Sequence, residues 1–253
     1  MKKYTLYIIV LFFVFGCGRK AKTESNELLA FCGASLTNVI SELSENFEKE
    51  NAVDIQLNFA SSGTLARQIE HGAQPAVYIS ANEKWVDYLI QLDLLVPETK
   101  QRVAGNSLVV VVPLDSPIDS ISFQSNLPEL FSGRLAMGDP KHVPAGDYAQ
   151  QAINNAGYAH ELKDRILPTK DVRSALMVVE LGEVEMGIVY KTDALKSEKV
   201  KIVSEVPDSL YSPVGFYASV LKTKNNKQTL GFYEYLRSPE AKVIWLKHGF
   251  KFE

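Results

Sequence analysis

The chain has 253 residues, of which 46% are apolar and 23% are charged, and its 27 Lys and Arg residues nearly balance 30 Asp and Glu residues, for a formal net charge of −3. This composition is typical of a globular protein and excludes a disordered chain, a collagen-like repeat and a coiled coil. The charge gives no indication of a nucleic-acid-binding surface, and the length suits one large domain or two modest ones.

The N-terminal segment predicts export from the cytoplasm. Two lysines precede an apolar run over residues 4–15, which as a helix would rise about 18 Å, short of a hydrocarbon layer of about 30 Å. A charged start before a short apolar stretch is typical of a secretory signal. The run ends near Cys17, in a segment that resembles the lipobox of bacterial lipoproteins, where the cysteine carries the lipid. We expect residues 1–16 to be a signal peptide and residues 17–26 a polar tether anchored through Cys17; an uncleaved membrane anchor is the alternative.

The two cysteines therefore have separate predicted roles. If Cys17 carries lipid, Cys32 has no partner in the chain, and a disulfide framework is excluded even where the compartment permits one. Cys32 ends an apolar segment and is most simply a small core residue.

Short apolar strands alternate with amphipathic helices along the rest of the chain. The strands are predicted over residues 28–32, 53–59, 76–80, 107–112, 134–137, 186–190, 201–206 and 214–220. The helices are predicted over residues 36–47, around 65–69, and over 83–92, 145–155, 171–181, 226–236 and 239–248. This alternation predicts an α/β protein with largely parallel sheets.

Four segments at predicted helix starts are candidate ligand contacts. They contain residues 33–35, 61–64, 143–146 and 171–172. The N–H groups of a helix's first turn lack internal partners, and the macrodipole makes that end positive. Several such ends at one cavity would hold an anion without a charged side chain, and Ser35 and Ser62 would add hydroxyl donors. The alternative for each segment is an ordinary helix N-cap.

Enzymatic interpretations have little support. The chain has no GxSxG elbow and no phosphate loop, dinucleotide fingerprint or HExxH motif, and its four histidines lack metal-ligand spacing. A serine nucleophile at Ser35 or Ser62 stays open, because catalytic triads assemble in space. We expect no enzyme and no cofactor. Tyr190 ends a predicted strand, where a tyrosine is typically a core residue with its hydroxyl at the rim.

A set of short motifs occurs in a characteristic order along the chain. They lie at residues 34–38 (ASLTN), 59–69 (FASSGTLARQI), 105–109 (GNSLV), 138–140 (GDP), 142–146 (HVPAG), 171–173 (DVR) and 187–190 (GIVY). Together they resemble the periplasmic molybdate-binding protein family, the solute receptors of ABC transporters, over roughly residues 28–252.

The resemblance implies a type II periplasmic-binding-protein-like fold of two α/β lobes. Each lobe would be a mixed, mostly parallel sheet flanked by helices, and two hinge strands would join the lobes. Residues 27–106 and 217–253 would form lobe 1, and residues 107–216 would form lobe 2.

The resemblance also implies the ligand contacts. Ser35 and Ser62 would bind the oxyanion by side chain and backbone N–H, Ala145 and Val172 by backbone N–H, and Tyr190 by its phenol. Molybdenum would be held only as the bound oxyanion.

The function so implied is that of an extracytoplasmic or periplasmic, membrane-anchored lipoprotein. As a monomer it would bind molybdate or tungstate with high affinity and deliver the oxyanion to an ABC permease. A receptor for sulfate, phosphate or a small carboxylate, and a secreted serine hydrolase, are the alternatives.

Two positions depart from the family pattern. Cys32-Gly33 stand where the family usually has two alanines, and Ala76 stands where it usually has an aspartate. Neither position is expected to touch the anion.

Overall fold

Ten strands and nine α-helices make up the part of the chain that the computed structural model describes, residues 26–125 and 127–252. The strands are β1 (Glu27–Gly33), β2 (Asp54–Ala60), β3 (Val77–Ser80), β4 (Gln101–Gly105), β5 (Leu108–Pro113), β6 (Leu135–Gly138), β7 (Ile166–Thr169), β8 (Met186–Tyr190), β9 (Val200–Glu205) and β10 (Gly215–Val220). The α-helices are α1 (Thr37–Glu50), α2 (Ser62–Glu70), α3 (Glu83–Gln91), α4 (Pro144–Asn155), α5 (Ala159–Leu162), α6 (Val172–Glu180), α7 (Lys191–Ala194), α8 (Lys227–Tyr235) and α9 (Pro239–Lys247).

The strands form two five-stranded sheets of the same design. The first has the order β2-β1-β3-β10-β4 and the second the order β7-β6-β8-β5-β9. In each sheet the first three strands are parallel, and the fourth, β10 or β5, runs antiparallel to both of its neighbours. The predicted α/β fold, with two mixed and mostly parallel sheets flanked by helices, is confirmed.

The chain crosses between the sheets twice. It leaves the first sheet after β4, enters the second at β5, and returns between β9 and β10. Gly215 and Phe216 pair with β4, so the chain is back in the first sheet at the start of β10. The lobe boundaries at residues 107 and 217 stay predictions.

Two strands were not predicted from the sequence, and both lie at sheet edges. β4 contains the polar Gln101 and Arg102, and β7 contains Pro168. A proline has no N–H to donate to a sheet ladder and is therefore found on edge strands. Both strands are held by a single neighbour, β10 or β6, so neither has the continuous apolar run of a central strand.

The core reflects the predicted apolar pattern. The four valines of β5, residues 109–112, are fully buried, and Cys32 is fully buried at the end of β1. Burial raises the pKa of the Cys32 thiol well above its usual range and keeps the thiol protonated and unreactive. Cys32 is thus a core residue, as expected.

No helix within residues 26–125 and 127–252 is long and apolar enough to cross a membrane. The predicted signal peptide, the predicted lipidation site Cys17, and all of the predicted tether except its last residue lie outside the described residues.

Candidate anion-binding site

A cavity lies where the two sheets face each other, and it is formed by loops that follow strands of both. Its space, including the opening to solvent, measures about 210 Å³. The cavity is lined by Gly33, Ala34, Ser35, Ser61, Ser62, Ala81, Val143, Pro144, Ala145, Asp171, Val172 and Tyr190. All five residues predicted to contact a ligand are in this set, although they are spread over more than 150 positions of the sequence.

The first sheet contributes two helical N-termini. Ser35 lies in a single 3-10 turn (Ala34–Leu36) directly after β1, and Ser62 is the first residue of α2, directly after β2. The N-cap of α2 is Ser61, whose Oγ accepts the N–H of Thr64 at 3.3 Å. The turn at Ser35 has no side-chain cap. Neither Ser35 nor Ser62 is an N-cap, but the segments 61–64 and 171–172 each contain one, because the side chains of Ser61 and Asp171 accept the N–H groups of Thr64 and Ser174.

The Ser62 side chain is held in a defined orientation. Its Oγ accepts the backbone N–H of Ala81 at 2.9 Å, and its carbonyl oxygen accepts the hydroxyl of Tyr78 at 2.8 Å. Because Oγ already accepts a hydrogen bond, its own proton can be donated to another group. Ser62 is 1% exposed, and it lines the cavity, so the hydroxyl is prepared to donate there.

The second sheet contributes two further helix N-termini but no hydroxyl from them. Ala145 is the second residue of α4, and Val172 is the first residue of α6. Their apolar side chains are buried, so the polar group that each can offer is its backbone N–H. In a first helical turn this N–H lacks an intrahelical acceptor.

Close packing between α4 and β6 positions Ala145. A Cβ atom on Gly146 would overlap the carbonyl oxygen of Gly138, and a Cβ atom on Gly138 would overlap the side chain of Val143. Glycine at both positions lets the start of α4 lie directly against the end of β6. This contact sets the position of the N-terminus of α4 at the cavity.

Tyr190 provides the fifth predicted contact. It ends β8 and is 1% exposed, and its ring packs against Phe216 with centroids 5.7 Å apart. Its hydroxyl is fully buried and has no hydrogen-bond partner among the described residues. The hydroxyl is therefore not at the rim, as the sequence alone suggested, but inside. Burial raises the pKa of Tyr190 well above its usual range, so the phenol keeps its proton and remains a donor.

The electrostatics of the cavity come from backbone dipoles. Within the described residues no lysine, arginine or histidine lines it. The lining set includes one carboxylate residue, Asp171, which caps α6: its Oδ1 accepts the N–H of Ser174 at 2.7 Å. Four helical N-termini converge on the cavity, and each of them favours a negative charge. The arrangement suits a small anion better than a cation or an apolar molecule.

Two further residues line the cavity. Gly33 does so because β1 ends there; that the Cys32-Gly33 position does not touch the anion stays a prediction. Ala81 was not predicted at all, although it too follows a strand, β3, and precedes a helix. Ala76 and Cys32 are buried outside the lining set.

The histidines of the described residues lie outside the cavity lining. A serine nucleophile needs a histidine within hydrogen-bond reach, and none lines the cavity in the described part of the chain. The imidazole of His248 lies against Glu42 at 2.7 Å, and that of His71 against its own helix. No cluster of three or more potential metal ligands occurs among residues 26–125 and 127–252.

Two similar α/β lobes with a cavity between them define a class, the type II periplasmic-binding-protein-like fold. The chain belongs to the family described as bacterial extracellular solute-binding protein, which it matches over residues 28–251. Members of this family bind solutes, in agreement with a cavity that offers hydrogen-bond donors.

Comparison with individual proteins shows which solute-binding proteins the chain is similar to. The chain is 41% identical over 241 residues to the molybdate-binding protein ModA of Escherichia coli, covering 93% of each chain. It is 37% identical over 263 residues to the putative ABC transporter substrate-binding lipoprotein YvgL of Bacillus subtilis, covering 100% of this chain and 99% of the relative. Its fold matches that of the Azotobacter vinelandii periplasmic molybdate-binding protein with a TM-score of 0.79 and 21% identity, covering 89% of this chain and 99% of the other. The resemblance to molybdate-binding proteins noted from the motifs is confirmed.

Proposed function

We propose that this protein is an extracytoplasmic receptor that binds molybdate or tungstate between its lobes and delivers the oxyanion to an ABC permease. The observation that carries the proposal is the buried Tyr190 hydroxyl, which lacks a partner among the described residues and lies in a cavity where four helical N-termini meet. A buried donor without an acceptor is costly, and an oxyanion would satisfy it. The relative from Escherichia coli is named a molybdate-binding protein.

The proposed contacts are Ser35 and Ser62 on one side and Ala145, Val172 and Tyr190 on the other. Hydrogen bonds to a charged partner contribute about 1.5–3 kcal/mol each, so five or more donors can offset the dehydration of the anion. All are neutral groups. The ligand is therefore held without a counter-charge that would slow its release to the permease.

Selection among anions follows from the same donors. Without a cationic side chain in the contact set, discrimination depends on cavity size and on how many donors the anion reaches. Molybdate and tungstate are almost equal in size and should compete closely. Sulfate is smaller, so it would leave donors underused and bind more weakly.

The second candidate ligand is phosphate, and Asp171 is the observation that favours it. A protonated phosphate needs an acceptor, and Asp171 is a lining residue whose second carboxylate oxygen has no role in capping α6. A fully deprotonated oxyanion would instead be repelled by this carboxylate. Helix dipoles from α2, α4 and α6 oppose that repulsion for any anion. Molybdate is the first candidate because the chain is 41% identical to a molybdate-binding protein.

We further propose that residues 1–16 are a signal peptide and that lipid on Cys17 anchors a monomeric receptor to a membrane, at its periplasmic or extracytoplasmic face. The relative from Bacillus subtilis is named a lipoprotein and matches the whole chain. A Cys17→Ser variant should leave the membrane fraction, whereas a Cys32→Ser variant should remain in it.

Isothermal titration calorimetry of the purified protein with molybdate, tungstate, sulfate and phosphate tests the ligand. We expect molybdate and tungstate to bind with similar affinity, and sulfate and phosphate at least about 100-fold more weakly, the effect of one or two lost charge-assisted hydrogen bonds. Equal affinity for sulfate would overturn the assignment, and tighter binding of phosphate would favour the second candidate.

A further inference from the structure

Arg173 connects the two lobes beside the candidate site. It follows Val172 in the first turn of α6, in the second lobe. Its Nη2 donates a hydrogen bond to Oδ1 of Asn38 on α1, in the first lobe. Its Nε lies 3.2 Å from Oδ1 of Asp193 on α7, within its own lobe. One guanidinium therefore contacts both sides of the cleft.

The two partners of Arg173 differ in burial and charge. The side chain of Asp193 is 1% exposed, whereas that of Arg173 is 35% exposed. No hydrogen bond is made to either carboxylate oxygen of Asp193 by the described residues, so Arg173 is the cation that offsets this buried charge. Removing it would leave an uncompensated buried carboxylate, which is strongly unfavourable. Because Arg173 and Asp193 both belong to the second lobe, opening the cleft would not separate them.

The hydrogen bond between Arg173 and Asn38 differs from this ion pair in both charge and burial. Asn38 carries no charge, and its hydrogen bond with Arg173 is exposed. Replacing an exposed neutral acceptor by water costs much less than losing the counter-charge of a buried carboxylate. Opening the cleft would thus break the contact with Asn38 and leave the contact with Asp193 intact.

A second bond between the lobes lies beside Ser62. The backbone N–H of Gly63 donates to the carbonyl oxygen of His142 at 3.0 Å. Gly63 is adjacent to Ser62, and Arg173 is adjacent to Val172. Each bond therefore forms next to a proposed ligand donor, and the movement that forms both bonds also brings the donors of the two lobes together.

We propose that Arg173 is a positioning residue that favours the closed cleft, with Asp193 as its fixed anchor and Asn38 as its releasable partner. The proposal rests on the proposed function, because closure matters only if an anion is bound between the lobes. Arg173 does not line the cavity, so it acts through closure and not through ligand contact. The Arg173–Asn38 bond contributes part of the free energy of closure, so the ligand has to contribute less. The bond therefore raises the affinity for the ligand and slows its release.

The decisive variant is Asn38→Ala, because it breaks the bond between the lobes and leaves the buried ion pair untouched. We expect molybdate to dissociate about three- to tenfold faster in stopped-flow measurements, as for loss of one exposed hydrogen bond to a charged group. The ratio of molybdate to sulfate affinity should stay unchanged, since no ligand contact is lost. Asn46→Ala, on the same helix and bonded to Lys49 at its surface, is the matched control and should behave as wild type.

A double-mutant cycle with Arg173→Gln separates closure from a general structural role. In the Asn38→Ala background, Arg173→Gln should have little further effect on the dissociation rate, although it lowers stability through Asp193. Equal effects of Arg173→Gln with and without Asn38 would overturn the proposal, as would an unchanged dissociation rate in Asn38→Ala.

Small-angle scattering without ligand keeps this test independent of the ligand assignment. The radius of gyration of Asn38→Ala should exceed that of wild type and of Asn46→Ala. If wild-type protein binds no molybdate, the proposed function fails, but the scattering comparison still decides whether Arg173 favours closure. Identical radii in all three proteins would contradict it.

Discussion

The two lobes share a topology but present different donors to the cavity. Each contributes two helical N-termini at the ends of parallel strands. In lobe 1 these carry the hydroxyls of Ser35 and Ser62, and in lobe 2 they carry the apolar Ala145 and Val172. Lobe 2 adds the phenol of Tyr190 from the end of a strand.

The two lobes differ in whether the hydroxyl that each offers to the cavity has a hydrogen-bond partner in the absence of a ligand. The Ser62 hydroxyl is held by the N–H of Ala81 within lobe 1, whereas the Tyr190 hydroxyl has no partner among the described residues. Lobe 1 therefore resembles a preformed half-site, and lobe 2 needs an added acceptor. Four predictions test this contrast, ordered by their expected effect on the free energy of unfolding.

The largest effect is expected at the start of α4. A Gly146→Ala substitution in lobe 2 should destabilise the protein by about 3 kcal/mol or more, because the new methyl group meets the backbone of Gly138, which cannot rotate away. The control is Gly33→Ala in lobe 1, whose Cβ would lie 3.3 Å from Ser62 Oγ and should cost less than about 1 kcal/mol. Urea unfolding compares the two; equal midpoints would show that α4 is not fixed by this contact.

The second prediction is that the free energy of unfolding depends on pH through Asp193 in lobe 2. Burial raises the pKa of Asp193 to about 7, despite the neighbouring Arg173, against about 3.9 in an unfolded chain. Between these values the folded protein binds the extra proton, so stability falls as pH rises from about 4 to 7 and is level above. We expect Asp193 to account for a loss of about 2 kcal/mol between pH 5 and 7, which Asp193→Asn removes.

A carboxylate in lobe 1, that of Glu42, should change the stability with pH in the opposite direction. Hydrogen bonds from Lys247 and His248 lower the pKa of Glu42, so its contribution is present at neutral pH and is lost as pH falls through the lowered pKa. Glu42→Gln is therefore the matched control. A pH profile of unfolding that Asp193→Asn leaves unchanged would contradict the assignment to lobe 2.

The third effect combines stability and binding. Ser62→Ala removes the acceptor of the Ala81 N–H and should cost about 1–2 kcal/mol of stability. Molybdate affinity should fall about 10- to 100-fold through the lost donor. Ser35→Ala should lose affinity by a similar factor but keep its stability, because no hydrogen bond from the described residues holds its hydroxyl. Thermal unfolding and calorimetry check both; loss of stability without loss of affinity would remove Ser62 from the site.

The smallest effect on unfolding is expected at Tyr190. Tyr190→Phe should leave the stability of the ligand-free protein unchanged or slightly higher, since a buried unsatisfied hydroxyl is lost. Molybdate affinity should nevertheless fall about 10- to 100-fold. A destabilised Tyr190→Phe protein would show that the hydroxyl has a partner within the fold, and lobe 2 would then be as complete as lobe 1.

Much of this molecule is predictable because it depends on local pattern. Alternation of apolar runs with helical periodicity locates eight of the ten strands within the described chain, and small residues at helix starts mark Ser35, Ser62, Ala145 and Val172. Tyr190 was different: its role came only from the resemblance of the motifs, because a tyrosine at the end of a buried strand has no distinctive local pattern.

Local patterns are sufficient to predict the α/β class, the helix starts and a contact set without a charged residue. Only the packing of distant segments brings Gly33 and Ala81 into the cavity lining and places Arg173 against Asn38, 135 positions away in the sequence. The two outcomes differ in the range of the interactions. Helix and strand patterns arise between residues a few positions apart, whereas a cavity depends on how two sheets are oriented toward each other.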